Sequence, residues 1–216
     1  MWELSQAVPA KVAVMGATIF GATLAAPFLF AGFGLDWGWM APVLFQVGWC
    51  LAEGVNTGWH RPAAIPKQLA ALQLPILTGV VALCVTFASL SECFLTLRGG
   101  GGLGEGSSLM MGLGLLIGGL GIPLRQLAIR TLGNRFRDEV SLGEDHEIET
   151  GGIYRWLVHP GELGFGLAML GTVFLCRSWV GFSLFLVALL PLMLIRVRRE
   201  NQLIRRATAD STIILE

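Results

Sequence analysis

The sequence HEIETGGIYRWLVHP (residues 146–160) leads into two apolar runs, at 161–176 and 179–195, which are followed by Arg196 and Glu200. Each run is close to the roughly 20 residues that a membrane-spanning helix needs, so the pair predicts a membrane hairpin. A hairpin returns the chain to its starting side and brings the ionisable residues at its two ends together. Because polar groups are costly at a membrane boundary, this segment is the strongest candidate for a functional site.

The rest of the chain is also apolar. Hydrophobic residues make up 54% of the sequence and charged residues only 14%, and the mean hydropathy is +0.67. A soluble domain carries about 25% charged residues. Four further apolar runs lie at 8–33, 39–58, 69–90 and 109–124. We therefore expect an all-α, polytopic membrane bundle of five to six spanning helices that ends in a helical hairpin. The two runs of the hairpin are short, so the hairpin could be tilted or incomplete.

The basic residues predict the orientation of the chain. If the amino terminus is cytoplasmic, all 15 Lys and Arg residues except Arg98 and Arg177 lie on the cytoplasmic side. Both termini and the polar segment 138–150 are then expected in the cytoplasm, with the protein in the cell inner membrane. The net charge of +0 gives no indication of a nucleic-acid partner. The four cysteines lack metal-ligand spacing and are expected to be buried thiols, so no metal site is predicted.

The chain divides into two predicted parts. Residues 1–106 are expected to form an amino-terminal transmembrane scaffold, and residues 107–216 the part that carries the site. Gly114 and Gly118 place two small residues on one face of a helix, which predicts close helix packing. Pro123 is expected to bend or weaken this helix, and the arginines after it, beginning at Arg125, to mark the cytoplasmic interface. Glu53 is an intramembrane acid, and such a residue is a functional candidate.

Residues around the hairpin have suitable chemistry for binding a ligand. Gly152 lets the backbone approach a ligand closely, and Tyr154 can stack on it or hydrogen-bond to it. His159 can offer a ring nitrogen where Pro160 begins a helix. Arg196 and Glu200 are four residues apart and share a helix face, so they can pair or point together into a cavity. The alternative interpretation is an interfacial belt of aromatic and basic residues without a ligand.

From residue 124 to residue 203 the sequence resembles the isoprenylcysteine carboxyl methyltransferase family and its relatives, the small bacterial membrane methyltransferases and phospholipid N-methyltransferases. The resemblance follows the order of the family motifs. It is carried by Leu124-Arg125, Leu132-Gly133 with Phe136, His146, Gly152 with Tyr154-Arg155, His159-Pro160, Gly164, Arg196, Glu200 and Leu203.

This resemblance implies a membrane methyltransferase that uses S-adenosylmethionine and acts on a small lipophilic or lipid-linked thiol, carboxylate or amine. The cofactor would lie on the cytoplasmic face, and the acceptor would enter from the bilayer. Arg196 and Glu200 would be the catalytic residues, with Arg196 orienting an acceptor carboxylate or lying close to it. The implied cofactor-binding residues are His146, Gly152, Tyr154, Arg155, His159, Pro160, Glu162, Gly164 and Glu200.

The sequence departs from the family pattern at three site positions. Val158 replaces an arginine, Glu162 replaces a tyrosine, and Asn201 replaces the second acid of a pair. The departures indicate either a rebuilt cofactor pocket or a loss of activity. Glu162 could compensate by binding the amino or sulfonium end of the cofactor, or it could mark a different ligand.

Two other functions are compatible with the sequence. A non-catalytic membrane protein of the same fold would bind a lipid or a partner helix, and the three altered positions favour it. An NADPH-dependent membrane steroid or enone reductase is the other alternative, because those enzymes have a similar His-Pro step and a Ser-Trp step like Ser178-Trp179. Phe165 stands where the reductases usually have a glutamate, which argues against them.

Overall fold

The structure is a computed structural model that describes residues 10–34, 36–59, 69–99, 105–132 and 151–213. All regular elements in these ranges are helical. The first four are α1 (Ala10–Phe30), α2 (Trp37–Trp59), α3 (Leu69–Arg98) and α4 (Glu105–Leu132). A 3-10 turn (Gly152–Arg155) and α5 (Pro160–Cys176) follow, and α6 (Trp179–Leu184) continues through a π-helical turn (Phe185–Leu189) into α7 (Leu190–Ile213). The predicted all-α fold is confirmed.

Several helices have the length and composition of membrane spans. Ile76–Arg98, Ser108–Leu132 and Trp179–Gln202 are each long and apolar enough to cross a bilayer, and Thr18–Phe30 and Pro160–Cys176 are shorter apolar helices. Large apolar side chains cover their outer surfaces, among them Phe87, Leu116 and Val187. Such a surface is favourable against lipid and costly against water. The chain is therefore a helical membrane bundle.

Two helices are longer than the apolar runs from which they were predicted. Helix α4 continues through Pro123 to Leu132, beyond the apolar run that ends at residue 124, and a bend or weakening at Pro123 stays a prediction. The run predicted at 179–195 is part of a longer helical segment, because α6 joins α7 through the π-helical turn. The second arm of the hairpin is therefore a full-length candidate span rather than an incomplete one.

The closest helix contact joins α4 and α5 through facing glycines. A Cβ built at Gly121 would lie 2.5 Å from the backbone nitrogen of Ala168, and one at Gly171 would lie 2.5 Å from the Cα of Gly118. A Cβ at Gly114 would lie 2.6 Å from the backbone nitrogen of Leu175. Only glycine lets two backbones approach this closely, so the predicted packing role of Gly114 and Gly118 is confirmed.

Two apolar clusters fill the bundle. One packs α2 and α3 against α5 and the α6–α7 segment, and we call it the central cluster; its buried members are Trp49, Ala82, Val85, Ala168, Met169, Val173, Phe185, Leu189 and Met193. The other joins α1, α2 and α3 to the end of α5, and its buried members are Leu24, Phe28, Trp39, Val43, Leu90, Cys93 and Cys176. Cys93 and Cys176 are buried thiols as expected, whereas Cys84 is exposed and Cys50 only partly buried.

Polar contacts tie the hairpin turn to α3 and α2. Arg177 ends α5 in the left-handed conformation, with φ of 54°, and its Nη2 donates to the carbonyl of Gly38 at 3.0 Å. Ser178 donates from Oγ to Glu92 at 2.5 Å, and that carboxylate also accepts from the backbone N–H of Val180 at 2.9 Å. These bonds hold α6 in place at the end of the bundle opposite His159.

Candidate functional site

The glycine-rich turn before the hairpin packs against the end of α4. Gly152 has φ of +55°, a conformation that L-residues rarely adopt. A Cβ there would lie 3.0 Å from Cγ2 of Thr131. The backbone N–H of Tyr154 donates to the carbonyl of Gly151 at 3.1 Å, which closes the turn. The positive φ and the contact with Thr131 account for a glycine at this position, and close approach of its backbone to a ligand stays a prediction.

The start of α5 meets α7 through His159. This residue caps α5, and Pro160 occupies the first turn, as the sequence predicts. Nδ1 of His159 lies 3.2 Å from a carboxylate oxygen of Glu200, and Nε2 lies 3.0 Å from Oδ1 of Asn201. The side chain of Glu200 is 46% exposed. The hydrogen bond to Glu200 is the main cause that raises the pKa of His159 above its usual value, while burial opposes the rise.

A second contact between α5 and α7 lies about one turn deeper in the bundle, after His159 on α5 and before Glu200 on α7. Arg196 and Glu162 form an ion pair, with Nη2 and Oε1 3.1 Å apart. Both side chains are mostly buried, at 12% and 17% exposure. The sequence allowed Arg196 and Glu200 to pair with each other, but each has a partner on α5 instead.

A third ionic contact joins α2 to α4. Arg125 donates from Nε to the carboxylate of Glu53 and from Nη1 to the carbonyl of Gly161 at 3.3 Å. Its guanidinium also lies over the ring of Phe165, 5.3 Å from the centroid. The indole N–H of Trp49 donates to the same glutamate at 3.4 Å. Arg125 is therefore a buried residue of the bundle, and its position at the cytoplasmic interface stays a prediction.

These ionisable residues close one end of the central cluster. Glu53 follows Trp49 by one helical turn, and Arg196 follows Met193 by nearly one turn, so each lies next to a member of that cluster. We call this set the polar layer; its members are Glu53, Arg125, His159, Glu162, Arg196, Glu200 and Asn201. It contains three carboxylates and two arginines besides His159. The members on α5 and α7 were predicted from the sequence, but the pairing of Glu53 with Arg125 was not.

Gln126 adds a buried amide beside the polar layer. The residue is 8% exposed, and neither its side-chain oxygen nor its side-chain nitrogen has a hydrogen-bond partner among the residues that the structure describes. It lies four residues after Ile122, which packs against the central cluster, so the two residues share a face of α4. It was not among the predicted site residues, and the one signal available was a polar residue within an apolar helix.

The remaining predicted site residues lie in different places. Arg155 is exposed, and its guanidinium lies 5.9 Å from the ring centroid of Trp156. Gly164 is buried in the contact between α4 and α5, where a Cβ would lie 2.6 Å from the backbone nitrogen of Arg125, so packing accounts for it. His146 and the polar segment 138–150 lie outside the described residues. Within the described residues, no group of three or more His, Cys, Asp or Glu side chains is placed to hold a metal ion.

The fold and the polar layer define a class of protein, a helical membrane bundle with a charged site at one end of a hairpin. Residues 113–206 match the model of the isoprenylcysteine carboxyl methyltransferase (ICMT) family, and this match supports an ICMT-like family member. The match supports a membrane methyltransferase-like function. No curated protein and no solved structure matches the chain.

Proposed function

We propose that this protein is a membrane-embedded methyltransferase that uses S-adenosylmethionine and methylates a lipophilic or lipid-linked acceptor. The observation that carries the proposal is the contact between His159 and Glu200. It joins the His-Pro start of α5 to the acidic end of α7, within the part of the chain that matches the family.

The chemistry of these residues suits the cofactor. S-adenosylmethionine carries a positive sulfonium and a positive amino group, and the half-exposed carboxylate of Glu200 offers a negative partner. The positive φ of Gly152 gives the turn before His159 a shape that other residues rarely adopt. We assign cofactor contacts to Gly152, Tyr154, Arg155, His159, Pro160 and Glu200, together with His146.

The protein has a limited chemical task in methyl transfer. The bound cofactor supplies an already activated methyl group, so the chain has to align the acceptor with it and exclude water. His159 and Glu200 would fix the cofactor end of the site. Arg196 lies one turn deeper, next to the apolar cluster, and would contact the acceptor side. We leave Gly164 out of the proposed site because its contact with α4 accounts for it.

One structural observation weakens the reductase alternative. Ser178, half of the Ser-Trp step, caps α6 and donates to Glu92 at the end of the bundle away from His159. Packing accounts for this step, so it is no sign of a nicotinamide site. The non-catalytic alternative predicts no cofactor binding, so a measurement of cofactor binding distinguishes it from both enzymes.

The test is a calorimetric titration of the protein, purified in a nonionic detergent, with S-adenosylhomocysteine and separately with NADPH. We expect saturable binding of S-adenosylhomocysteine and none of NADPH. Binding of NADPH alone would replace the proposal with the reductase. Binding of neither would leave the non-catalytic protein.

The proposal includes a location. We place the polar layer on the cytoplasmic side of the cell inner membrane. The loops expected at the same end of the bundle as this layer carry most of the basic residues, and basic loops favour the cytoplasmic side. A soluble cofactor could then reach Glu200. Labelling of single cysteines in intact cells tests the orientation, and a cysteine at Arg155 should be protected from an impermeant reagent whereas one at Arg98 should react.

A further inference from the structure

We propose that the π-helical turn Phe185–Leu189 positions the polar layer, because it holds one surplus residue that turns Arg196 and Glu200 towards α5. The inference goes beyond the proposed function, since it concerns how the layer is assembled and not what binds there. Its basis is that the continuous helical segment from α6 to α7 is fixed at its two ends to different helices of the bundle.

The α6 end of this segment is fixed to α3. Oγ of Ser178 donates to Glu92 at 2.5 Å, and the same carboxylate accepts from the backbone N–H of Val180 at 2.9 Å. Gly181 packs so closely on α3 that a Cβ there would lie 1.9 Å from Oγ of Ser89. These contacts define which side of α6 faces the bundle, so α6 cannot rotate without breaking them.

The α7 end is fixed to α5. A carboxylate oxygen of Glu200 lies 3.2 Å from Nδ1 of His159, and Arg196 lies 3.1 Å from Glu162. Both contacts require that α7 turn this side towards α5. Because α6 and α7 belong to one helical segment, the rotation of α7 relative to α6 is set by the number of residues in each turn between them.

The buried residues along the segment have a wider spacing than a regular helix gives. Gly181, Phe185, Leu189 and Met193 are all buried and follow one another at intervals of four residues. An α-helix has 3.6 residues per turn, so a stripe with this interval drifts by about 40° at each step and about 120° in all. A π turn holds about one residue more than an α turn and reduces the total drift to about 20°.

The hydrogen bonds identify the wider turn. The backbone N–H of Leu190 donates to the carbonyl of Phe185, five residues earlier, whereas an α-helix joins residues four apart. Pro191 follows directly in the sequence. A proline has no N–H to donate, and in a regular helix its ring clashes with the carbonyl four residues earlier, here that of Val187. Pro191 therefore disfavours a regular α-helical turn at this point and favours the wider one.

The surplus residue determines where the site residues point. Five turns of a regular α-helix need about 18 residues, and Glu200 is the nineteenth residue after Gly181. With one residue absorbed by the π turn, Glu200 returns to about the side of the helix on which Gly181 packs. With regular turns throughout, Glu200 and Arg196 would be rotated by about 100° from their present direction. Their contacts with α5 would then be lost.

Deletion of a single residue tests the inference. Val187 lies in the π turn with its side chain 78% exposed, so its deletion leaves a regular turn and removes no core side chain. We expect α6 and α7 to keep their relative rotation. The pKa of His159, which is raised chiefly by Glu200, should then stay as high as in the wild type. Nuclear magnetic resonance of the imidazoles in detergent measures this pKa, and His159→Gln identifies the signal.

The matched control is a deletion of both Val187 and Leu194. Leu194 is 48% exposed and lies in the regular part of α7, just before Arg196. No surplus residue remains to compensate the second deletion, which rotates Arg196 and Glu200 by about 100°. We expect the pKa of His159 to fall towards its ordinary value of about 6.5.

Two results would overturn the inference. One is a deletion of Val187 that lowers the pKa of His159 or prevents folding, because loss of a surplus residue should do neither. The other is a double deletion that keeps the raised pKa, because the contact would then not depend on the rotation of α7. A double deletion that fails to fold supports the inference, since the chain then tolerates the shorter helix only at the π turn.

Failure of the proposed function has a different signature. It would be seen as the absence of S-adenosylhomocysteine binding by the wild type. The titration of His159 needs no bound cofactor, so it reports on the π turn in either case.

Discussion

The imidazole of His159 at the start of α5 lies 3.2 Å from the carboxylate of Glu200 on α7. The two residues stand at opposite ends of the membrane hairpin in sequence, and this contact closes the hairpin at its polar end. The ring nitrogen that does not face Glu200 lies 3.0 Å from Asn201, so both nitrogens face oxygen atoms. The histidine is therefore held in one orientation by two neighbours on α7.

Removal of either partner should weaken cofactor binding. We expect His159→Ala and Glu200→Ala each to lower the affinity for S-adenosylhomocysteine at least about tenfold, because each loses a hydrogen bond that involves a charged group. Calorimetry on the detergent-purified variants measures the effect. Glu92→Ala, at the other end of the bundle, should bind as the wild type does. Unchanged affinity in both site variants would contradict the assignment of the cofactor site.

The pKa of His159 should lie above its ordinary value of about 6.5. Glu200 raises the pKa of His159 in the folded state. The ionic contact therefore stabilises the fold fully below the ordinary pKa of about 6.5, and this stabilisation is lost as the pH rises through the raised pKa. Nuclear magnetic resonance of the labelled imidazoles would follow the titration. Glu200→Gln should lower the pKa of His159, and His159→Gln should remove this part of the pH dependence of stability. A pKa for His159 at or below the ordinary value would refute the prediction.

The contact between Glu53 and Arg125 should stabilise the packing of the amino-terminal helices against the part of the chain that matches the family. Glu53→Leu alone leaves a buried guanidinium without its carboxylate, and we expect it to cost about 2 kcal/mol in the free energy of unfolding. Glu53→Leu with Arg125→Met removes both charges and should recover part of that loss. Denaturation in mixed detergents measures both variants. Strictly additive losses would show that the two residues are not coupled.

The contact between α4 and α5 should be intolerant of even one methyl group. Gly121→Ala places a Cβ 2.5 Å from the backbone of Ala168, which cannot move aside as a side chain can, and we expect a loss of about 1–3 kcal/mol. Gly119→Ala on the same helix has nothing within 4 Å of the added atom. It should be neutral or slightly stabilising, by up to about 1 kcal/mol. Thermal melts of the two variants in parallel provide the comparison, and equal melting temperatures would argue against the close contact.

Much of the fold could be predicted because it depends on local sequence. Apolar runs predicted each helix, since a chain in a bilayer has to satisfy its backbone hydrogen bonds within a segment. Gly114 and Gly118 predicted close packing from their spacing alone. The extent of the helices was harder to predict: α4 continues past Pro123, because neighbouring helices can support a proline within a spanning helix.

Several residues of the polar layer could be predicted from the sequence, but their pairings could not. His159, Glu162, Arg196 and Glu200 all emerged from the order of motifs. Helical spacing suggested that Arg196 and Glu200 could pair, but the geometry between α5 and α7 gives each a partner on the other helix. The burial of Gln126 also depends on helix packing rather than on its neighbours in sequence.

The sequence by itself determined that this is a helical membrane protein with ionisable groups at both ends of a hairpin, because hydropathy and residue order are local properties. Only the tertiary structure decided which charges meet. Glu53 and Arg125 belong to different halves of the chain, and their contact depends on how α2 packs beside α4. Ion pairs in a bundle form across helices, and the approach of two helices is set by packing that no single segment of sequence specifies.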